Sequence, residues 1–397
     1  MSPKIVKIND KEAVEALERL DRRSDFKSLR IKNLLKLPDL TRTAGSPLKM
    51  LIDAILAVPR FRDFDVLEIP EVVSVKNNFD LLNTALDHPS RRETDTYYLE
   101  KDWILRTHTT VMWSYHLSEE VRKRLEKDGG VGALCYGKVY RKDEIDRSHY
   151  PVFHQIDGWY VCRKDKKIIG IPELTEVLVD IAKHIYGADV KYKISEDTFP
   201  FTDPSIEMAI RLNGSASLGF ARDESLTTSG SWLEILGAGV VHVEVLKKLG
   251  LDPNVYNGWA FGFGLERLAM TKMNIPDIRI FWSTDKRITS QFKDLNSKYH
   301  EVSRYPMTYR DISFVVDKNA SLNSYYEIVR DCAGDLVEEV KLFDKYENEG
   351  KFGKDKISYA FRITYRSNER TLTNEEVDKI HKEIESRTKQ EFNAEVR

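Results

Sequence analysis

Gly137-Lys-Val-Tyr-Arg141-Lys-Asp143 is followed, after a nine-residue polar stretch, by Phe153-His154-Gln155-Ile156-Asp157-Gly158-Trp159-Tyr160-Val161. They read as two antiparallel strands joined by a long, charged, His-bearing loop. A sheet face carrying Arg141, Gln155 and Asp157 is costly to bury unless something pairs with it, because enclosed polar groups lose their hydration. The alternative is a surface hairpin, where such residues are commonplace. Working outward, strands are predicted at Ala209–Gly214, Trp232–Leu236 and Ala238–Val241, and helices at Pro47–Leu56, Thr109–Lys127 and Ile171–His184. The strands follow one another without intervening helices, which favours an antiparallel sheet over βαβ units and gives an α+β fold class.

A second stretch, Gly258-Trp-Ala260-Phe261-Gly262-Phe-Gly264-Leu-Glu266-Arg267, reads as an aromatic, glycine-rich strand turning into a helix. Its glycines permit close backbone approach to a flat ligand, and Arg267 at the helix start aims a guanidinium at the same space. Tight packing alone also explains such a run. Several chemistries are absent from the sequence. There is no GxxxxGK[ST] loop, no complete dinucleotide fingerprint, no HExxH and no GxSxG, so P-loop, Rossmann, zincin and serine-hydrolase readings lack support.

The C-terminal part has its own rhythm. Arg310–Val316 alternates, Ser321–Gly334 is helical, Val337–Glu347 and Lys356–Ser367 are strands, and Thr373 with Glu376 forms a capping box opening a helix to Phe392. With a short closing strand at Ala394–Val396, the order β-α-β-β-α-β is that of a ferredoxin-like fold. At the other end, residues 1–36 carry ten Lys/Arg and six Asp/Glu, with helical spacing at Val14, Leu17 and Leu20. They read as a solvated lead-in or as an extension that touches nucleic acid.

The chain has 397 residues, 41% hydrophobic and 10% aromatic, with 62 Lys+Arg against 64 Asp+Glu. That length accommodates about two to three domains. The balance argues against a protein that coats DNA through bulk charge, but a local patch can still bind nucleic acid. Cys135, Cys162 and Cys332 are too scattered for a metal knuckle and read as reduced thiols. The first residues lack an apolar or Arg/Ser-rich leader, and no apolar run approaches a membrane span.

The runs NFDLLN, HPSRRETDTYYL, LRTHTT, VYRKDEIDRSHYPVFHQIDG, FPFTDPSIEM, WLEILGAGVVH, NGWAFGFGLERLAM and PDIRIF, in this order, resemble the phenylalanyl-tRNA synthetases, class II aminoacyl-tRNA synthetases. SRYPMTYRDISFVV, LFDKYE and ITYRSNERTLTNEEV are similar to the anticodon-binding domain that ends the single-chain, mitochondrial-type form of that family. The resemblance implies a catalytic domain over 38–292 with a central antiparallel sheet flanked by helices. It further implies a linker at 293–300 and a ferredoxin-fold anticodon-binding domain over 301–397, while 1–37 stands apart as a helical extension.

The implied reaction is ATP-dependent activation of L-phenylalanine to its adenylate, then transfer to the 2′-hydroxyl of the terminal adenosine of tRNA(Phe). Position by position, Arg141 is implied to grip the α-phosphate and Arg267 the γ-phosphate. Asp143 is implied to meet the adenine amino group, His149 the phosphates and Phe153 the adenine face, and Glu234 is implied to hold Mg²⁺. His108, Thr110, Gln155 and Asp157 match the positions for the amino and carboxylate ends of phenylalanine, Phe199 and Phe201 those meeting its ring edge-to-face, and Ala260 the para end. Thr110 stands where the family usually has Ser, and Asp157 where it has Glu, which shortens the carboxylate's reach. Thr202 makes the ring pocket less apolar, which predicts relaxed rejection of tyrosine.

Residues 301–397 carry 17 Lys/Arg against 20 Asp/Glu, so tRNA contacts are expected from a local stripe, Arg362, Arg366 and Arg370. A monomer without a β subunit, no editing module, no membrane and a cytoplasmic location (with the mitochondrial matrix as alternative) complete the expectation.

Overall fold

The structure is a computed structural model, and it describes residues 4–211, 232–301 and 305–396. The chain forms two compact units. The first takes in residues 1–141, 152–276 and 290–299, and the second residues 142–151, 277–289 and 300–397.

Among the described residues the first unit holds eleven strands: β1 Lys4–Lys7, β2 Asp65–Glu68, β3 Val72–Ser74, β4 Tyr98–Glu100, β5 Trp103–Leu105, β6 Gly130–Tyr140, β7 Val152–Arg163, β8 Tyr192–Phe199, β9 Thr202–Arg211, β10 Trp232–Val241 and β11 Tyr256–Gly264. Eight make one sheet in the order β1-β2-β6-β7-β11-β10-β9-β8. From β6 to β8 every pairing is antiparallel. At the other edge the expected antiparallel pattern changes: β1 pairs parallel with β2, and β2 parallel with β6. The two strands predicted over 232–241 are one, kept continuous by register shifts at Glu234/Leu236 and Gly239/Val241. Of the strand predicted at Ala209–Gly214, residues 212–214 lie outside the described residues.

The helix Pro47–Leu56 forms as predicted, capped by Ser46 with proline in its first turn. The single helix predicted over 109–127 is divided instead. A 3₁₀ turn at Thr109–Val111 leads into Met112–His116, and Ser118 then caps a new helix, Glu119–Asp128, by accepting from the Val121 N–H. The core beneath includes Trp113 and Trp159, stacked with centroids 5.3 Å apart.

The N-terminal segment belongs to this unit. Its first helix, Lys11–Asp21, buries Ala13, Ala16 and Leu20, while Val14, expected on the apolar face, is exposed. The second, Phe26–Lys36, ends where Lys138 Nζ donates to the Leu35 and Leu37 carbonyls at 2.9 and 2.8 Å. Arg19 reaches Glu100 through two hydrogen bonds, and the Tyr115 hydroxyl donates to Asp10.

In the second unit β12 Thr308–Asp317, β13 Val337–Tyr346, β14 Lys356–Tyr365 and β15 Glu395–Val396 form an antiparallel sheet in the order β13-β14-β12-β15. Helices Leu322–Ala333 and Asn374–Phe392 accompany it, the latter opened by the Thr373/Glu376 capping box. The order is that of the ferredoxin-like fold. Phe314, Tyr325, Phe361 and Ile363 fill its core, and Ile145 from the 142–151 segment is buried in the same cluster. Among the described residues no helix is long and apolar enough to cross a membrane.

Candidate active site

Three neighbouring strands position most of the predicted site residues. In β7 the period of two puts Phe153, Gln155 and Asp157 on one face and His154 and Ile156 on the other. Gln155 lies opposite Gly264 of β11, and Asp157 opposite Gly262. Gly262 is required there, since a Cβ would stand 2.7 Å from an Asp157 oxygen.

Asp157 is 5% exposed. One carboxylate oxygen accepts from the Thr110 hydroxyl at 2.6 Å, the other from the Thr109 hydroxyl. Burial pushes its pKa up to about 6, against the downward pull of the two hydroxyls, Arg141 and Arg106. Nearby, His108 Nδ1 and Gln155 Oε1 are enclosed and find no hydrogen-bond partner among the described residues. Burial first, then Arg141, holds the His108 pKa down to about 3, so the ring is neutral. An enclosed carboxylate beside an unpaired acceptor and a neutral imidazole forms a polar end that lacks its partner.

Arg141, just past the end of β6, donates from Nε to the Thr107 carbonyl at 3.0 Å and lies 5.2 Å from the Phe153 ring centroid. Arg106 has a structural role: buried, it donates to the Lys138 carbonyl at 2.7 Å and the Ile69 carbonyl at 3.1 Å. Asn78, also buried, exchanges hydrogen bonds with Thr107 and fixes the turn leading to His108.

The aromatic end is built by Phe199 and Phe201, at the tip of the β8–β9 hairpin, with rings nearly parallel and 5.9 Å apart. Phe201 meets Trp113 edge-on at 5.8 Å and His108 at 6.2 Å. A Cβ at Gly237 would approach the Phe199 ring to 2.8 Å. Ala260, buried, belongs to the core cluster on which Phe201 packs. The Thr202 hydroxyl, expected to make the pocket more polar, is engaged with Ser205 Oγ at 2.8 Å and is buried.

Glu234 on β10 and Glu207 on the neighbouring strand β9 are close enough for their charges to interact. The Glu234 pKa is raised, by desolvation first and then by Glu207 and Asp197, while Arg267 acts in the opposite direction. Among the described residues no group of three or more His, Cys, Asp or Glu could hold a metal unaided. Two carboxylates do fit Mg²⁺ that takes its remaining oxygens from water and substrate phosphates. Arg267 is exposed in the first turns of the helix Leu265–Met273.

Asp143 and His149 belong to the second unit. There His149 Nδ1 pairs with Asp146 at 2.7 Å, which raises the imidazole pKa, and Arg330 donates to the Asp143 and Glu144 carbonyls. The three arginines expected to meet tRNA are each in ion pairs. Arg362 forms two bonds of 2.8 Å with Asp311, Arg366 pairs with buried Glu338 at 2.9 Å, and Arg370 pairs with Glu376. Arg362 also lies between two exposed rings, 4.2 Å from the Tyr309 centroid and 5.7 Å from that of Phe343. Tyr309, Phe343, Thr109 and Glu207 escaped the sequence reading. Alternation in β12 and β9 marks Tyr309 and Glu207, whereas nothing local marks Thr109 over Thr110.

The sheet, its polar and aromatic ends and the ferredoxin-like unit define a class II aminoacyl-tRNA synthetase. Residues 34–292 match the family described as tRNA synthetases class II core domain (F), and residues 303–397 match the ferredoxin-fold anticodon binding domain. The chain is 40% identical over 348 residues to a phenylalanine–tRNA ligase, chloroplastic/mitochondrial, of Arabidopsis thaliana, covering 85% of this chain and 73% of that one. It is 37% identical over 393 residues to a probable phenylalanine–tRNA ligase, mitochondrial, of Drosophila melanogaster, covering 85% and 80%. A phenylalanine–tRNA ligase alpha subunit of Lawsonia intracellularis is 36% identical over 248 residues, covering 62% and 68%. The chain belongs to the phenylalanine–tRNA ligase family of class II synthetases.

Proposed function

We propose that the chain activates L-phenylalanine with ATP and transfers it to the 3′-terminal adenosine of tRNA(Phe). The observation that carries this is the enclosed Asp157, with His108 Nδ1 and Gln155 Oε1 unpaired beside it, next to the Phe199/Phe201 pair. An α-amino acid with an aromatic side chain supplies what each end lacks. Its ammonium pairs with Asp157 and Gln155, and its ring lies on the two phenylalanines with Ala260 at the para end, an aromatic contact contributing about 0.5–1.5 kcal/mol beyond burial.

The carboxylate then attacks the α-phosphorus of ATP in line, breaking the bond to the β-phosphate and expelling pyrophosphate; the hydroxyl of the tRNA's terminal adenosine next attacks the acyl carbon, giving up its proton and releasing AMP. Arg141 holds the α-phosphate, Phe153 stacks on adenine, and Arg267 takes the γ-phosphate. No protein nucleophile takes part; positioning and charge stabilisation lower the barrier. Glu234 with Glu207 would hold Mg²⁺, which neutralises phosphate charge when bound. For Asp143 and His149 a role toward ATP is supported by the resemblance of the run VYRKDEIDRSHYPVF alone. In the second unit, Tyr309 and Phe343 offer faces on which unpaired anticodon bases stack, with Arg362 between them.

The names of the Arabidopsis and Drosophila relatives support the mitochondrial alternative over the cytoplasm. A monomer is supported by the anticodon-type domain matched in the same chain, which makes a contact to a separate β subunit unnecessary. Phenylalanine-dependent ATP–pyrophosphate exchange, run with all twenty amino acids, tests the activity. Exchange with phenylalanine far above the other nineteen is expected, and its absence, or preference for another amino acid, overturns the proposal.

A further inference from the structure

The rear of the strand that carries Phe153 and Gln155 is pinned by one buried side chain. His154 is completely buried, and Glu266, one residue before Arg267, is 4% exposed. His154 Nδ1 lies 2.7 Å from Glu266 Oε1, and the His154 main-chain N–H donates to both Glu266 oxygens at 2.9 Å. On the far side of the ring, Nε2 accepts the Leu40 main-chain N–H at 3.1 Å. That bond fixes the tautomer: Nε2 is the acceptor, so Nδ1 carries the proton and donates to Glu266. One imidazole thus joins three segments: the turn at 38–41, β7, and the first turn of the helix Leu265–Met273. Two of these carry the groups that the proposed function assigns to ATP, Phe153 on β7 and Arg267 on the helix.

We infer that His154 and Glu266 are positioning residues for ATP. They touch no substrate. They set the distance and angle between the stacking ring of Phe153 and the guanidinium of Arg267, because the strand and the helix start cannot shift against each other while the carboxylate holds both ring and main chain of His154. The carboxylate is the strong partner, since hydrogen bonds to an ionised group are about twice as strong as neutral ones. The phenylalanine pocket has separate support, from Thr109, Thr110 and Gly262 around Asp157. Gln155 of that pocket also sits beside His154 on β7, so loss of the clamp touches the amino acid too but falls more heavily on ATP.

This inference rests on the proposed ATP site, so the test separates the two. Mg-ATP binding is measured by calorimetry and phenylalanine-dependent exchange by kinetics, for the wild type and for His154→Ala, His154→Asn and Glu266→Gln. Misplacement of reacting groups by about 1 Å costs on the order of a hundredfold. His154→Ala is therefore expected to weaken ATP binding and raise its KM by at least about tenfold, with a clearly smaller rise in the KM for phenylalanine. His154→Asn places an N–H near the Nδ1 position and should restore most of the ATP affinity. Glu266→Gln keeps an oxygen acceptor but loses the charge, and should fall between. A His154→Ala protein with unchanged ATP affinity overturns the inference, as does one in which both KM values rise by the same factor. If the alanine variant does not fold, Asn and Gln variants indistinguishable from wild type in ATP affinity overturn it as well. A wild type that binds ATP but shows no exchange with phenylalanine refutes the proposed activity, while the variants' ATP affinities still decide the clamp.

Discussion

Asp157→Asn separates what the candidate site does for binding from what it costs in stability. The carboxyl is raised from its ordinary 3.8 to about 6, chiefly by burial. A folded-state pKa above the unfolded one means that the folded protein binds this proton more tightly. The group therefore contributes most below about pH 3.8, loses that contribution as pH rises through about 6, and is a full penalty above. A shift of about two units is worth about 3 kcal/mol at 1.36 kcal/mol per unit. The same linkage leaves about 0.5 kcal/mol at pH 4. Asparagine is nearly isosteric, has no charge to desolvate, and can still bond the Thr109 and Thr110 hydroxyls, which turn to donate or accept. Without ligand, Asp157→Asn should thus be more stable than wild type at pH 8 by about 2–3 kcal/mol, and nearly equal to it at pH 4. Urea unfolding followed by tryptophan fluorescence at both pH values measures this. The variant should also lose phenylalanine-dependent exchange by roughly two to three orders of magnitude, because the ammonium would be buried without its counter-charge. A variant no more stable than wild type at pH 8, or a difference that persists unchanged to pH 4, refutes the reasoning.

Gly237→Ala should raise the KM for phenylalanine about tenfold or more and leave that for ATP unchanged, since overpacking of a fixed aromatic costs about 1–3 kcal/mol and the new Cβ meets the Phe199 ring at 2.8 Å; exchange kinetics with each substrate varied in turn will show it. Tyr309→Ala and Phe343→Ala should each weaken tRNA binding by about 1–3 kcal/mol, as loss of base stacking does, with amino-acid activation intact; aminoacylation measured against tRNA concentration checks this. Glu234→Gln should raise the Mg²⁺ concentration needed for half-maximal exchange, and Glu207→Gln should do so less; a magnesium titration of the exchange rate gives both.

What could be read from the sequence, and what could not, follows from the range of the interactions involved. Alternation and caps are local, so β7, β11, the helix at 47–56 and the ferredoxin-like order are legible to within a few residues, whereas β6, expected from Gly137, starts seven residues earlier at Gly130. The break at Ser118 competes with a helical apolar pattern that runs on through Val111, Trp113 and Leu117, and only the cap preference of Ser118 before Glu119 and Glu120 signals it. Val14 lies outside the buried stripe because the small Ala13 and Ala16, with Leu20, turn the buried side of the helix away from it. The parallel edge could not be read, since β1 and β2 are about sixty residues apart and each is only four residues long. The arginines show the same limit in chemical form. Arg362 and Arg366 lie on one face of an alternating strand, and counting from the sequence they form a free cationic stripe. Their charges are met by Asp311 and Glu338 from the neighbouring strands, partners set by register rather than by sequence distance. A phosphate approaching that face must displace a carboxylate before it gains a cation, whereas a base need only lie on Tyr309 or Phe343. On this sheet, then, stacking should dominate over phosphate contact, and tRNA affinity should respond less steeply to salt than a stripe of three free arginines would require.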